Sequence, residues 1–185
     1  MGLVFLTGGA RSGKSRLAIE LASRRRGPVV VLATAEALDE EMKERIRKHR
    51  EQRPPGWATV EEPVELERAI RAAPVESYLV IDCLSLWVAN LMGRELPPDQ
   101  ILARSRAAAS LAAVRGTGTV AVSNQVGSGI VPDSALGRRY RDVLGVVNAD
   151  WALVASRCAL VVAGRLLPLE TADDAWSRDE GWTTT

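Results

Sequence analysis

The stretch Gly8-Gly9-Ala10-Arg11-Ser12-Gly13-Lys14-Ser15 decides the fold. It matches the pattern G-x-x-x-x-G-K-[ST] at each fixed position, and it lies between the apolar run Leu3–Leu6 and a helical pattern that begins at Lys14. Glycines let the backbone N–H groups of such a loop turn inward around phosphate oxygens, and the helix N-terminus adds partial positive charge. The stretch therefore predicts a strand, a phosphate-binding loop and a helix, in that order.

Two side chains of this loop have expected roles. Lys14 would reach the β- and γ-phosphates of a nucleotide, and the Ser15 hydroxyl would ligate Mg²⁺. The alternative is a glycine-rich turn without a ligand, in which Arg11 and Ser12 are exposed residues without a role. The motif and its position between a strand and a helix together favour the phosphate site.

A carboxylate that would serve the same metal ion closes another apolar run. Tyr78–Ile81 is followed directly by Asp82, and we expect Asp82 to hold Mg²⁺ directly or through water. The alternative is that Asp82 caps the helix that begins near Leu84. One carboxylate can do both, so the two interpretations stay open at this point.

Short apolar runs alternate with longer helical patterns along the rest of the chain. Such alternation predicts an α/β fold like that of P-loop NTPases, with a mostly parallel central sheet flanked by helices, in one domain over residues 1–170. The nearly continuous runs predict strands covered on both faces, and residues 171–185 are expected to form a frayed tail. The predicted strands are 3–6, 29–33, 78–81, 119–122 and 159–163, with a weaker one at 166–169; the predicted helices are 14–25, 38–53, 64–73, 84–93, 98–115 and 134–156.

Composition limits the classes of protein to which the chain can belong. Its 185 residues are 46% hydrophobic and 25% charged, as in ordinary globular proteins, and a net charge of +1 disfavours nucleic acid as the main partner. No apolar run approaches the ~20 residues that span a bilayer, and Met1–Leu6 lacks the basic region of a secretion signal. Cys83 and Cys158 are expected to be buried reduced thiols, so we expect a cytoplasmic protein.

The only histidine, His49, shares a predicted helix face with Met42 and Ile46. Asp39 is the expected N-cap of this helix, and several Arg and Lys residues surround His49. By pattern alone His49 is more often a packed helix residue than a nucleophile. A neutral imidazole is nevertheless a competent nucleophile at phosphorus, and the phosphate loop implies a triphosphate nearby.

Three blocks of residues, in order along the chain, are more specific than the phosphate loop alone. They are Thr7–Ser15; then Ala33-Thr34-Ala35, Asp39–Met42, Arg45-Ile46, His49-Arg50, Arg53-Pro54 and Trp57; then Ser123-Asn124, Val126-Gly127, Gly129–Pro132, Leu136–Arg138, Arg141-Asp142, Gly145 and Asn148. With these blocks the chain resembles, to about Arg165, the bifunctional adenosylcobinamide kinase / adenosylcobinamide-phosphate guanylyltransferases of cobalamin biosynthesis.

The resemblance implies two reactions. A nucleoside triphosphate, ATP or GTP, phosphorylates the aminopropanol hydroxyl of adenosylcobinamide; GTP then donates GMP, through a GMP–histidine intermediate, to adenosylcobinamide phosphate, giving adenosylcobinamide-GDP. The family's guanylylated histidine corresponds to His49, with Lys14 as the other catalytic residue. The resemblance also implies a homotrimer. The implied nucleotide contacts are Gly8, Gly9, Ala10, Arg11, Ser12, Gly13, Lys14, Ser15, Ala33, Thr34, Ala35, Arg50, Glu51, Gln52, Arg53, Glu61 and Asp82, with Ser15 and Asp82 as metal ligands.

The chain departs from the family pattern at two positions. Gln125 replaces the usual glutamate and Ala149 the usual glutamine. An amide does not ionise, so the sequence predicts either weak kinase activity or another carboxylate in place of Gln125. The competing interpretations are another small-molecule P-loop kinase, with His49 structural, and a non-catalytic nucleotide-binding switch.

Overall fold

Strands and helices alternate along residues 2–177, which are the residues that the computed structural model describes. The elements in chain order are β1 (Leu3–Gly8), α1 (Lys14–Ser23), β2 (Val29–Ala33), α2 (Glu40–Glu51), β3 (Ala58–Glu61), α3 (Leu66–Ala72), β4 (Tyr78–Asp82), α4 (Leu84–Gly93), α5 (Pro98–Ala113), β5 (Thr119–Asn124), α6 (Ala135–Val154), β6 (Arg157–Val162), β7 (Arg165–Leu169) and α7 (Ala172–Trp176). Each predicted helix and strand is present, with ends that shift by up to a few residues.

One seven-stranded sheet runs in the order β3-β2-β4-β5-β1-β6-β7. All neighbours pair in parallel except β6 and β7, which are antiparallel. This sheet, flanked by helices, confirms the predicted α/β class. Within residues 2–177, no helix has both the length and the apolar character needed to cross a membrane.

Hydrophobic side chains cover the two faces of the sheet unequally. Alternate residues of β1 point to opposite faces, so Leu3 and Phe5 join the larger core under α3 to α6, while Leu6 joins the smaller core under α1. Trp87 and Trp151 fill the larger core, and both indole N–H groups have acceptors: the carbonyl of Val64, at 2.9 Å, and Ser105 Oγ, at 3.0 Å.

Three expectations from the sequence need correction. β3 was not expected: all four of its residues are exposed at the sheet edge, so it carries no apolar run. The strands near the other edge are not covered on both faces, because β7 is exposed throughout and β6 is only partly buried. The predicted frayed tail begins with the short helix α7, which Thr171 caps at the Asp174 N–H; residues 178–185 lie outside the described part.

The parallel strands bring the residues of interest to one edge of the sheet. β1, β4 and β5 end at Gly8, Asp82 and Asn124, and Gly8 is aligned with Asn124 across the β1–β5 pair. The Gln125 N–H continues this alignment by donating to the Gly8 carbonyl at 2.9 Å. Ligands in open α/β sheets bind at this carboxyl edge, so the fold places the phosphate loop where a nucleotide would lie.

Candidate active site

Two glycines of the phosphate loop have backbone angles that require glycine. Gly8 has φ +152°, and a Cβ there would lie 2.3 Å from the Val161 carbonyl oxygen. Gly13 has φ +99°, a left-handed conformation that L side chains rarely adopt. The Gly164 N–H of the β6–β7 turn donates to the Ser12 carbonyl at 2.8 Å, which fixes the loop from outside. The motif glycines are therefore needed for the shape of the loop itself.

Lys14 is a buried cation at the start of α1. Its ammonium donates to the carbonyls of Gly8, at 2.9 Å, and Gly9, at 2.6 Å, so it lies inside the loop. Burial lowers the pKa of Lys14, Asp82 opposes that shift, and the neighbouring Arg45 guanidinium adds to it. A buried ammonium near a second cation is an electrostatic environment that an anion would relieve.

Asp82 contacts two candidate functional residues with its two carboxylate oxygens. Oδ1 accepts a 3.0 Å hydrogen bond from the Ser15 hydroxyl, and Oδ2 lies 3.5 Å from His49 Nδ1. The capping alternative for Asp82 is wrong, because Cys83 occupies the N-cap of α4 and makes no side-chain capping bond. Asp82 therefore connects the phosphate loop to α2.

Ser15 and Asp82 fit the chemistry of a magnesium site. Both offer oxygen atoms, which Mg²⁺ prefers, and Mg²⁺ usually takes only one or two protein ligands together with phosphate oxygens and water. Within residues 2–177, no group of three or more His, Cys, Asp or Glu residues forms a protein cage for a metal. The pair therefore suits a metal that arrives with a nucleotide rather than a structural ion.

Helix α2 brings His49 to this edge, and local interactions hold the helix together. Asp39 caps it as expected, accepting the Met42 N–H at 2.7 Å. Arg47 pairs with both Glu44 and Glu51 along the helix. None of its residues is buried, and the His49 side chain keeps 35% of its surface exposed. His49 is therefore not a residue packed in the core.

A cleft of about 440 Å³ joins α2 to the phosphate loop. The expected site residues that line it are Arg11, Ser12, Gly13, Lys14, Ser15, His49, Gln52 and Asp82. The residues that line it without having been expected are Arg16, Glu41, Glu44, Arg45, Lys48, Cys83, Val122 and Asn124. Helical spacing from His49 carried the signal for Arg45, because Arg45 lies four residues before it on the same helix face.

A second cavity, of about 600 Å³, holds other expected nucleotide contacts. Arg50, Arg53 and Glu61 line it together with Trp57 and Thr59. Arg50 forms an ion pair with Glu61, and Arg53 donates to Thr59 Oγ1 at 3.0 Å. These residues share a concave surface with one another rather than with the phosphate loop.

The remaining expected contacts lie outside both cavities. Thr34 is fully buried, and its hydroxyl donates to the Cys83 carbonyl at 2.6 Å and accepts the Cys83 N–H at 2.9 Å. Glu51 pairs with Arg47. Neither cavity is lined by the other five expected contacts, which are Gly8, Gly9, Ala10, Ala33 and Ala35.

The cysteine beside Lys14 is not set up as a nucleophile. Burial raises the pKa of the Cys83 thiol, and the adjacent Asp82 raises it further. Burial also raises the pKa of Tyr140 to about 12, and its hydroxyl donates to the Ser85 carbonyl at 3.0 Å. Both groups are therefore held in their neutral forms, and neither is prepared to act as a nucleophile.

The chain is similar to one protein family and to several known proteins. A family model described as cobinamide kinase / cobinamide phosphate guanyltransferase matches residues 4–169. The bifunctional adenosylcobalamin biosynthesis protein CobP of Pseudomonas aeruginosa is 40% identical over 166 residues, which cover 89% of this chain and 95% of that protein. The CobU proteins of Escherichia coli and Salmonella typhimurium are 37% and 39% identical, each over 88% of this chain and 96% of the relative.

A solved structure shares the fold. A prototypical ATPase from the type III secretion system of pathogenic bacteria superimposes with a TM-score of 0.51 and 11% sequence identity, covering 97% of this chain and 55% of that one. At this level of identity the similarity supports the fold alone.

Proposed function

The chain belongs to the cobinamide kinase / cobinamide phosphate guanyltransferase family, and from this premise we propose how its cleft performs both reactions. In the first, a nucleoside triphosphate phosphorylates the aminopropanol hydroxyl of adenosylcobinamide. In the second, GTP gives GMP to the resulting phosphate through an intermediate on His49. One phosphate loop serves both reactions, because each begins with a triphosphate bound at Lys14.

One observation carries this proposal: the only histidine of the chain lines the same cleft as the phosphate loop. Asp82 Oδ2 lies 3.5 Å from His49 Nδ1, so the carboxylate favours the tautomer with its proton on Nδ1. That tautomer leaves the lone pair on Nε2. The competing small-molecule kinase and switch interpretations give the histidine no reason to lie there.

The guanylylation step follows from this arrangement. Nε2 of His49 attacks the α-phosphorus of GTP and forms an N–P bond, while the bond from that phosphorus to the bridging oxygen breaks. Pyrophosphate leaves with the electron pair, and the positive charge on the imidazole ring faces Asp82. In the second step the phosphate oxygen of adenosylcobinamide phosphate attacks the same phosphorus, and the neutral imidazole leaves.

The residues of the loop have assigned parts in both reactions. Lys14 would exchange its bonds to the Gly8 and Gly9 carbonyls for the β- and γ-phosphates. Ser15 and Asp82 would hold Mg²⁺, which when bound supplies positive charge to the phosphate oxygens. In the kinase reaction the same contacts stabilise the γ-phosphoryl group as it moves to the substrate hydroxyl.

The guanosine part of GTP has a candidate place in the second cavity. Arg53 follows Gln52 in the chain, and Gln52 lines the cleft of the phosphate loop. We assign Arg50, Arg53 and Glu61 to nucleotide binding on this basis, and Ala33, Thr34, Ala35 and Glu51 by family resemblance alone.

Three further properties are part of the proposal. Residues 1–170 form one domain, in support of which the single sheet ends at Leu169. The chain works as a homotrimer in the cytoplasm. The exposed edge strand β7, with Leu166, Leu167 and Leu169, offers apolar surface for a contact between subunits.

Incubation with [α-³²P]GTP tests the proposal. The wild type should retain label through denaturation, and acid but not alkali should release it, as expected of an N–P bond. His49→Asn should lose this label and guanylyl transfer, because it keeps a polar side chain without the nucleophile, yet still bind GTP and phosphorylate adenosylcobinamide.

Lys43→Asn is the matched control, because Lys43 lies on the same helix and does not line the cleft. It should be labelled like the wild type. Label retained by His49→Asn would show that another residue is guanylylated.

A further inference from the structure

Arg45 differs from the other basic residues of α2. Lys43 pairs with Glu40, Arg47 with Glu44 and Glu51, Lys48 with Glu44, and Arg50 with Glu61. Arg45 alone among them makes no hydrogen bond or ion pair within the part of the chain that the structure describes. Carboxylates are abundant on this helix, so the absence of a partner for Arg45 reflects its direction rather than a lack of acids.

The direction of Arg45 is toward the phosphate loop. It lies four residues before His49, so the two side chains share one face of α2. Both line the cleft together with Lys14. Arg45 and Lys14 line one cleft from two different elements, α2 and the start of α1, so the two cations face the same region.

Two cations that face one region of a cleft repel each other, and the carboxylates of Glu41, Glu44 and Asp82 in the same cleft offset part of that repulsion. Lys14 is only 6% exposed, so solvent screens this repulsion less than it would on an open surface. A polyphosphate bound between Lys14 and Arg45 replaces their mutual repulsion with attraction, because each cation then faces negative phosphate oxygens. The pair is thus arranged for a ligand with several adjacent negative charges.

We propose that Arg45 is a catalytic residue that binds the β- and γ-phosphates of GTP and stabilises them as they leave as pyrophosphate. This inference rests on the proposed guanylylation of His49. As the bond between the α-phosphorus and the bridging oxygen breaks, negative charge grows on the leaving pyrophosphate. The Arg45 guanidinium contacts and stabilises the leaving pyrophosphate from the side of α2, and the Lys14 ammonium does so from the side of the phosphate loop.

The proposed role of Arg45 applies to only one of the two half-reactions of guanylyl transfer. Formation of the GMP–enzyme expels pyrophosphate and needs Arg45. Transfer of GMP from the enzyme to adenosylcobinamide phosphate involves no pyrophosphate, so it should not need Arg45. The reverse of the first half, in which pyrophosphate attacks the GMP–enzyme and regenerates GTP, should need Arg45 as much as the forward step does.

The experiment measures each half-reaction in Arg45→Ala. We expect GMP–enzyme formation from [α-³²P]GTP to slow by about 100-fold or more, in line with the loss of one contact to a developing phosphate charge. GMP–enzyme accumulated by long incubation should pass its label to adenosylcobinamide phosphate at the wild-type rate. Release of that label by pyrophosphate should slow as formation does.

Lys43→Ala is the matched control, since it removes the same charge from the same helix, and neither Lys43 nor its partner Glu40 lines the cleft. A loss that came from fraying of α2 would appear in both variants, whereas the proposal predicts it in Arg45→Ala alone. Arg45→Lys should recover part of the rate, because it keeps the charge but loses the two-pronged geometry.

The outcomes of this experiment distinguish a failure of the proposed function from a failure of the proposed role of Arg45. Absence of a GMP–enzyme in the wild type would overturn the proposed function, and this inference with it. A wild-type GMP–enzyme together with unchanged formation in Arg45→Ala would overturn the role of Arg45 alone. Equal slowing of formation and of transfer to the acceptor would also contradict it, because Arg45 would then act on His49 or on the whole cleft.

Discussion

The carboxylate of Asp82 couples two parts of the site at the scale of single residues. One oxygen accepts the Ser15 hydroxyl and the other faces His49, so the residue that would help hold a metal also orients the proposed nucleophile. From the end of an apolar run and the phosphate-loop motif, the sequence predicted that Asp82 and Ser15 would serve one metal ion and would therefore lie close together. It could not predict the contact between Asp82 and His49, because that contact depends on where α2 lies relative to the sheet.

Gln125 provides a prediction at the same scale. It follows Asn124, which lines the cleft, at the position where the family usually has glutamate. Gln125→Glu should raise the rate of adenosylcobinamide phosphorylation by up to about 100-fold, because a carboxylate can accept the proton of the attacking hydroxyl. Steady-state kinase assays measure this, with Gln100→Glu on the exposed face of α5 as the control. An unchanged rate in a variant whose wild type is already fast would show that position 125 does not carry the chemistry.

Helix α2 is the element on which the account depends most. The helix presents Arg45 and His49 to the cleft, and its C-cap residue Gln52 lines the cleft as well, yet the helix buries none of its own residues. Its stability therefore comes from the Asp39 cap and from ion pairs along its surface, each of which contributes little. Such an element can unfold locally at low cost, which suits the entry of GTP and the release of product that the proposed function requires.

Removing the N-cap of α2 tests whether this helix unfolds locally at low cost. Asp39→Ala should remove about 1 kcal/mol from α2 alone, since no core contact is lost. We expect faster hydrogen exchange of the α2 amides, GMP–enzyme formation reduced by up to about fivefold, and an unchanged melting temperature of the whole protein. Thr171→Ala, which removes the cap of α7, should leave GMP–enzyme formation unchanged. A lower melting temperature with normal α2 exchange would show that α2 is part of the cooperative core.

At the scale of the whole molecule, the strands that carry an apolar run were predictable and the edge strand β3 was not. β2 and β4 consist of nearly continuous apolar residues because helices cover both faces of these strands. β3 and β7 lie at the two ends of the sheet, and both are exposed. β7 keeps the apolar run by which it was predicted, whereas β3 has none. The order of the strands is a long-range property that no local pattern contains. The phosphate loop, by contrast, was predictable because its geometry depends on glycines adjacent in sequence.

Mass spectrometry of the protein after incubation with GTP and Mg²⁺ tests the central claim most directly. We expect one GMP per chain on the peptide that contains His49. This GMP should be lost in acid, and it should disappear when adenosylcobinamide phosphate is added. GMP on any other residue would contradict the account. So would guanylyl transfer that proceeds at full rate with no GMP–enzyme trapped in the absence of the acceptor.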